Sequence, residues 1–139
     1  MPLDGFDRLY RDADARSDPV SVAVAGGDDA TVLQALRIAT DRGWVRPTLF
    51  GPEERIRSLA GSQGIALDGF QLIHAEGDAI ARVAVDHVRP DGARALMKGR
   101  ISTPCLMAAV LDPLAGLRTG HTVCQVVLME ITQIGRAHV

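Results

Sequence analysis

The chain has 139 residues, and its 15 Lys and Arg against 17 Asp and Glu give a net charge of −2. With 47% hydrophobic and 4% aromatic residues, it can form a core but offers neither the basic patch nor the stacking surface that nucleic acid requires. No apolar run is long enough to span a bilayer, and the chain begins with mixed charges rather than a signal peptide. We therefore expect one cytoplasmic domain, or part of one, without nucleic acid or membrane as partners.

Strand and helix patterns alternate after a short amphipathic lead at residues 6–10. Residues 19–25 are rich in Val and Ala and predict a buried strand. A Gly-Gly-Asp-Asp turn at residues 26–29 follows, in which either Asp can cap a helix that stops at Gly43. The turn lacks the third glycine of a dinucleotide-binding motif, so we interpret it as a tight turn.

The same unit repeats twice. Residues 46–51 predict a strand, and Pro52 suits the first position of a helix that ends before Gly61. Residues 70–74 predict a third strand, followed by a helix that Pro90 ends. The buried positions of the two helices include Ile56, Leu59 and Ala60 in the first and Ile80, Val83 and Ala84 in the second.

A fourth strand is predicted over residues 93–97, then a helix that starts at residues 102–104, and a fifth strand over residues 122–129. Such alternation predicts an α/β fold with three layers, αβα, in which a mostly parallel sheet has helices on both faces. Ligands of these sheets bind at the carboxyl ends of the strands.

Two cations and two hydroxyls meet where the fourth strand gives way to the next helix. Backbone N–H groups at a helix start are unpaired and attract anions, so Ser102 or Thr103 with Lys98 or Arg100 can form a phosphate site. Arg118 precedes the fifth strand and can face the same edge. The plainer alternative, which stays open here, is ordinary helix capping beside solvated cations.

Cysteine and histidine spacing predicts no metal site. Cys105 and Cys124 form no CxxC motif, and we interpret both as reduced, small apolar residues. The histidines have no acid or cysteine at ligand spacing. They are His74, His87, His121 and His138.

Three stretches together resemble the phosphate acetyl/butyryl transferase family. They are "LMKGRIST" at residues 96–103, "VLDPLAGLRTG" at residues 110–120, and the strand-helix-strand layout of residues 22–52. The resemblance runs from about Val20 to Ile131, and its specific part is the spacing of "MKG" and "GLRTG". It extends to the transferase part of bifunctional enoyl-CoA hydratase/phosphate acetyltransferases.

The resemblance implies an enzyme that interconverts acyl-CoA plus phosphate with acyl phosphate plus CoA. Coenzyme A would be a substrate or product rather than a resident cofactor, and the full-length enzyme would be a homo-oligomer. The fold would be one half of the kind found in isocitrate and isopropylmalate dehydrogenases. Lys98, Ser102, Thr103 and Arg118 would bind phosphate or substrate, whereas no residue matches a catalytic base.

Two departures from the family pattern concern how the substrate is oriented. Ala108 stands where many relatives have Arg, and residues 124–126 read Cys-Gln-Val where relatives tend to have Ser-His-Val. The acyl chain length stays undetermined, because Met97, Leu106 and Met107 can line a pocket or fill the core. Core is the preferred interpretation.

The last residues break the family pattern, since no strand, cap or amphipathic face continues through them. We expect residues 1–132 to be the amino-terminal part of a phosphate acyltransferase domain, inactive alone, and residues 133–139 to be a non-native tail. The alternative function is a non-catalytic CoA- or nucleotide-binding α/β module. An isopropylmalate dehydrogenase-type oxidoreductase would require a cluster of metal-binding aspartates, which the sequence does not show.

Overall fold

Helices and strands alternate along the chain in the computed structural model, which describes residues 5–88 and 92–130. The predicted tail at residues 133–139 lies outside the described residues. The strands are β1 (Val20–Ala25), β2 (Val45–Gly51), β3 (Gln71–His74) and β4 (Ala95–Lys98). The helices are α1 (Phe6–Asp14), α2 (Ala30–Asp41), α3 (Glu53–Ser62), α4 (Ala79–Val88) and α5 (Thr103–Val110).

The four strands form one parallel sheet in the order β3-β2-β1-β4. The register pairs Ala25, at the end of β1, with Phe50 on one side and Lys98 on the other. On the far side of β2, Gly51 pairs with His74. All four strands therefore end along one edge of the sheet, and the loops that follow them are neighbours in space.

Helices cover both faces of this sheet because side chains alternate along the central strand β1. Val22 and Val24 pack with the buried residues of α2 and α3, whereas Ala23 and Ala25 pack with those of α4 and α5. Small alanines on the second face let α4 approach the sheet closely. The predicted three-layer αβα fold with a parallel sheet is confirmed.

The ends of the helices follow local chemistry with small shifts from prediction. Asp29 caps α2, its Oδ1 accepting a hydrogen bond from the Val32 N–H at 3.0 Å, and Gly43 follows the helix with a φ of 77°. Pro52 is the N-cap of α3 and not its first helical residue, and Gly61 lies inside that helix. Its helical φ is open to any residue, so glycine does not end the helix there.

The amphipathic lead is a longer helix than predicted. α1 buries none of its own residues, but the Tyr10 ring stacks on Trp44 with centroids 5.7 Å apart. Asp14 accepts a hydrogen bond from the Trp44 Nε1–H at 2.8 Å, and Arg42 lies over the Trp44 ring at 4.4 Å. Aromatic stacking and two polar contacts of Asp14, one with Trp44 and one with Arg42, therefore attach α1 to the turn before β2.

The prediction of a fifth strand at residues 122–129 is wrong. Residues 122–130 are irregular and exposed, and within the described chain no backbone hydrogen bond joins them to β4. Val126 is 87% exposed and Met129 70%. An apolar run has a high propensity for a strand, but a strand forms only when the backbone of a neighbouring strand hydrogen-bonds with it. Within residues 5–88 and 92–130, no helix is long and apolar enough to cross a membrane.

Two residues of α2 test how much of the stability comes from the sheet-facing layer. Leu33 is fully buried, whereas Ile38 is 58% exposed. We expect Leu33→Ala to lower the free energy of unfolding by about 2–5 kcal/mol, because it removes core contacts and leaves a cavity. Ile38→Ala should change it by no more than about 0.5 kcal/mol. Urea unfolding measures both, and equal losses would contradict this assignment of the core.

Candidate functional site

Three of the four residues predicted to bind phosphate, Lys98, Ser102 and Thr103, lie at the edge formed by the strand ends. Lys98 is the last residue of β4 and is exposed, and Arg100 is exposed two residues later. The chain then enters α5, whose N-terminus lies at the same edge. The structure thus brings Lys98, Ser102 and Thr103 into one short loop and helix start, as the sequence predicted.

The loop after β4 is fastened to the loop after β1 by backbone hydrogen bonds. The Gly99 N–H donates to the Ala25 carbonyl at 2.8 Å, and the Arg100 N–H donates to the Gly26 carbonyl at 2.7 Å. A Cβ at Gly99 would collide with the Gly26 carbonyl, and one at Gly26 with the Arg100 backbone. The Gly-Gly turn therefore does more than reverse the chain, since it lets two loops touch.

The start of α5 is capped by Ser102. Its Oγ accepts a hydrogen bond from the Cys105 N–H at 3.2 Å, so the hydroxyl itself can still donate. Thr103 is the first helical residue and is exposed, and Pro104 follows it without an N–H. Ser102 therefore caps the helix, as the plainer alternative expected, and the hydroxyls of Ser102 and Thr103 both lie at the edge of the sheet.

Arg118 lies in the loop after α5, near the C-terminal end of that helix. Leu117, beside it in sequence, donates its N–H to the Val110 carbonyl at 2.7 Å, at the last residue of the helix. Eight helical residues extend over about 12 Å, so this contact is far from Ser102. Arg118 instead lines a cavity of about 470 Å³ with Leu111, Thr119, His121, Thr122 and other neighbours. Joint phosphate binding by Arg118 and the three residues at the β4 end stays a prediction.

A second polar group at the edge was not predicted. Asp28 is only 5% exposed, and its Oδ2 lies 3.5 Å from the Nε of Arg55 in the first turn of α3. At the end of β3, His74 Nδ1 accepts a hydrogen bond from the Glu53 N–H at 3.2 Å. The sequence signal for it was an acidic residue, Asp28, directly after Gly27, but we interpreted that residue only as a possible helix cap.

Apolar candidates divide between core and surface. Leu106 is buried, and Met97 packs against the cluster of α2 and α3, which supports their interpretation as core residues. Cys105 is half-buried, with its Sγ 3.9 Å from Asp78 Oδ1. Cys124, which we interpret from the sequence as a small apolar residue, is exposed in the irregular segment after residue 121.

Metal-ligating side chains are scattered. In the part of the chain that the structure describes, no three His, Cys, Asp or Glu residues are close enough to hold an ion.

Fold and site together define an α/β protein of the parallel-sheet class, with cations and hydroxyls at the carboxyl edge of its strands. No protein-family profile matches the chain. Its sequence is similar to a phosphate acetyltransferase of Thermotoga maritima, 36% identical over 122 residues that make up 88% of this chain and 42% of the relative. A phosphate butyryltransferase of Clostridium acetobutylicum is 33% identical over 116 residues, 83% of this chain and 38% of the relative.

A phosphate acetyltransferase of Rhizobium meliloti is 32% identical over 127 residues, which cover 91% of this chain and 40% of the relative. The chain thus spans about two fifths of the length of the curated relatives that it matches. It is a relative of the phosphate acetyl/butyryl transferases over most of its own length, and the resemblance seen in the sequence motifs is confirmed.

The contact between the two loops can be tested with glycine substitutions. Gly26→Ala should lower the free energy of unfolding by about 1–3 kcal/mol, because its φ of 88° is strained for alanine and the added Cβ meets the Arg100 backbone. Gly61→Ala in α3 meets open space and should raise stability by about 0.5–1 kcal/mol. Urea unfolding that gives both variants the same sign would contradict the glycine requirement.

Proposed function

We propose that the chain forms part of a phosphate acyltransferase that interconverts acyl-CoA plus phosphate with acyl phosphate plus CoA. The observation that carries the proposal is the sequence similarity to phosphate acetyltransferases and phosphate butyryltransferases along most of this chain. The position of Lys98, Ser102 and Thr103 at the carboxyl edge of the sheet supports it, because ligands of such sheets bind there.

The reaction needs an anion site and stabilisation of a second negative charge. A phosphate oxygen attacks the thioester carbonyl carbon, the carbonyl oxygen becomes an oxyanion, and collapse breaks the carbon–sulfur bond and releases CoA as a thiolate that takes up a proton. In our proposal the Lys98 ammonium and the Ser102 and Thr103 hydroxyls hold the phosphate. Charge-assisted hydrogen bonds of this kind are about twice as strong as neutral ones.

The remaining parts of the proposal follow from the same chemistry. Acyl-CoA and inorganic phosphate are the substrates, and coenzyme A leaves as product, so no resident cofactor is required. We place the reaction in the cytoplasm and expect the full-length enzyme to be a homo-oligomer. Arg118, near the C-terminal end of α5, is proposed as a separate cation that binds a phosphate group of the substrates, with its guanidinium offering a planar pair of donors. No described residue is assigned as the base.

The proposal can be tested in a chimera that has the full length of a relative. Residues 20–130 replace the matching stretch of the Thermotoga maritima phosphate acetyltransferase, and release of the CoA thiol is followed with acetyl-CoA or butyryl-CoA and phosphate. Phosphate-dependent thiol release supports the proposal. A chimera that folds and binds CoA but transfers no acyl group would favour the alternative, a CoA-binding module.

Arg118 offers the sharpest test of site assignment in that chimera. We expect Arg118→Ala to reduce kcat/KM for phosphate about a hundredfold, which corresponds to about 2.7 kcal/mol of transition-state stabilisation. Arg118 is exposed, so the midpoint of urea unfolding should not change. Arg94→Ala is the matched control, since Arg94 is an exposed cation just before β4, at the opposite edge of the sheet. Unchanged turnover of Arg118→Ala at limiting phosphate would remove Arg118 from the site.

A further inference from the structure

A buried carboxylate stands at the centre of the carboxyl edge. Asp28 follows Gly27 directly after β1, and its side chain is 6% exposed. A buried charge is costly unless an opposite charge lies beside it, and replacing such a pair by apolar residues often stabilises a protein. Fold stability alone therefore gives no reason for a charged pair at this position.

The ion-pair partner of Asp28 is Arg55, and its Nε is the atom that lies near the carboxylate. The Nε of Arg55 lies 3.5 Å from Asp28 Oδ2, while 56% of the Arg55 side chain is exposed. A guanidinium has one N–H on Nε and four on its two terminal nitrogens. Within residues 5–88 and 92–130, the ion pair with Asp28 is the one polar contact of the Arg55 side chain. Asp28 is thus an ion-pair partner near the Nε of Arg55, while more than half of the Arg55 side chain is exposed to solvent.

The backbone around Arg55 is fixed as well. Arg55 is the third residue of α3, and the first residue of that helix, Glu53, donates its N–H to His74 at the end of β3. On the other side of the β1 loop, the Arg100 N–H is bonded to the Gly26 carbonyl. Neighbouring strands lie about 4.8 Å apart, so the ends of β2 and β4 are roughly 10 Å from one another across β1. Arg55, in the helix after β2, and Arg100, in the loop after β4, therefore lie on opposite sides of the β1 loop.

We infer that Arg55 is a second phosphoryl-binding residue and that Asp28 positions it, an inference that rests on the proposed acyltransferase function. A guanidinium whose Nε lies beside a carboxylate still has its terminal N–H groups in the planar arrangement that matches phosphate oxygens. The phosphoryl group is either inorganic phosphate or one of the phosphates of coenzyme A. Both belong to the proposed reaction, and they share the chemistry that Arg55 recognises.

Calorimetric titration of the chain with inorganic phosphate, coenzyme A and pantetheine separates these sources. We expect Arg55→Ala to weaken binding of at least one phosphate-bearing probe about tenfold or more, since hydrogen bonds to charged groups are worth that much. Pantetheine, which has no phosphate, should bind the variant and the wild type equally. If Arg55→Ala weakens the binding of inorganic phosphate, Arg55 binds the phosphate substrate. If it weakens the binding of coenzyme A alone, Arg55 binds a phosphate group of coenzyme A.

Arg57→Ala is the matched control, because Arg57 lies on the same helix with its side chain 59% exposed and is paired with Glu53. It should leave all affinities within about twofold of wild type. Arg55→Ala leaves Asp28 unpaired and can lower stability, so the double variant Asp28→Asn/Arg55→Ala, which removes both charges, is measured beside it. We expect this variant to fold and to show the same loss of affinity.

Two outcomes overturn the inference. If the double variant binds phosphate and coenzyme A as tightly as wild type, Arg55 is only a structural partner of Asp28, while the proposed acyltransferase function still stands. If wild-type chain binds neither phosphate nor coenzyme A, and the chimera releases no thiol, the proposed function fails together with the inference.

Discussion

The close approach of two backbones at the end of the sheet determines how the candidate site is built. Gly26 and Gly99 lie so near each other that neither position has space for a Cβ, and two hydrogen bonds fasten the loops on either side. The loop after β4 therefore cannot move independently of the loop after β1. Because α5 begins three residues after Arg100, this contact also sets where the Ser102 cap lies.

Electrostatics at this edge follows from the same constraint. Parallel strands bring the N-termini of their following helices to one edge, where unpaired N–H groups give a partial positive charge. The buried Asp28 lies among them with Arg55 as its ion-pair partner, while Lys98 and Arg100 are exposed on the other side of the β1 loop. The cations and the helix N-termini attract phosphoryl groups, the ligands that both of our proposals require.

The fifth apolar run shows what local pattern leaves open. Thr122 to Met129 has the composition of a strand, yet the structure leaves it irregular, with Val123, Val126 and Leu128 exposed. In β1 the same kind of run is buried because β2 and β4 bond to it on both sides and helices cover both faces. The composition of a segment indicates that it is suited to a sheet, whereas its hydrogen bonding as a strand depends on which backbone lies next to it.

The sequence by itself determined the order of the helices and of strands β1 to β4, the layered fold and the position of Lys98, Ser102 and Thr103 at the end of β4. These follow from short-range signals, such as the apolar runs, the cap at Ser102 and the Gly-Gly break after β1, whose effects act within a few residues. Only the tertiary structure decided that Gly26 touches Gly99, that Asp28 pairs with Arg55 and that Arg118 lies at the far end of α5. Each of these depends on the spatial order of the strands, which places β1 between β2 and β4, and no local pattern encodes that order.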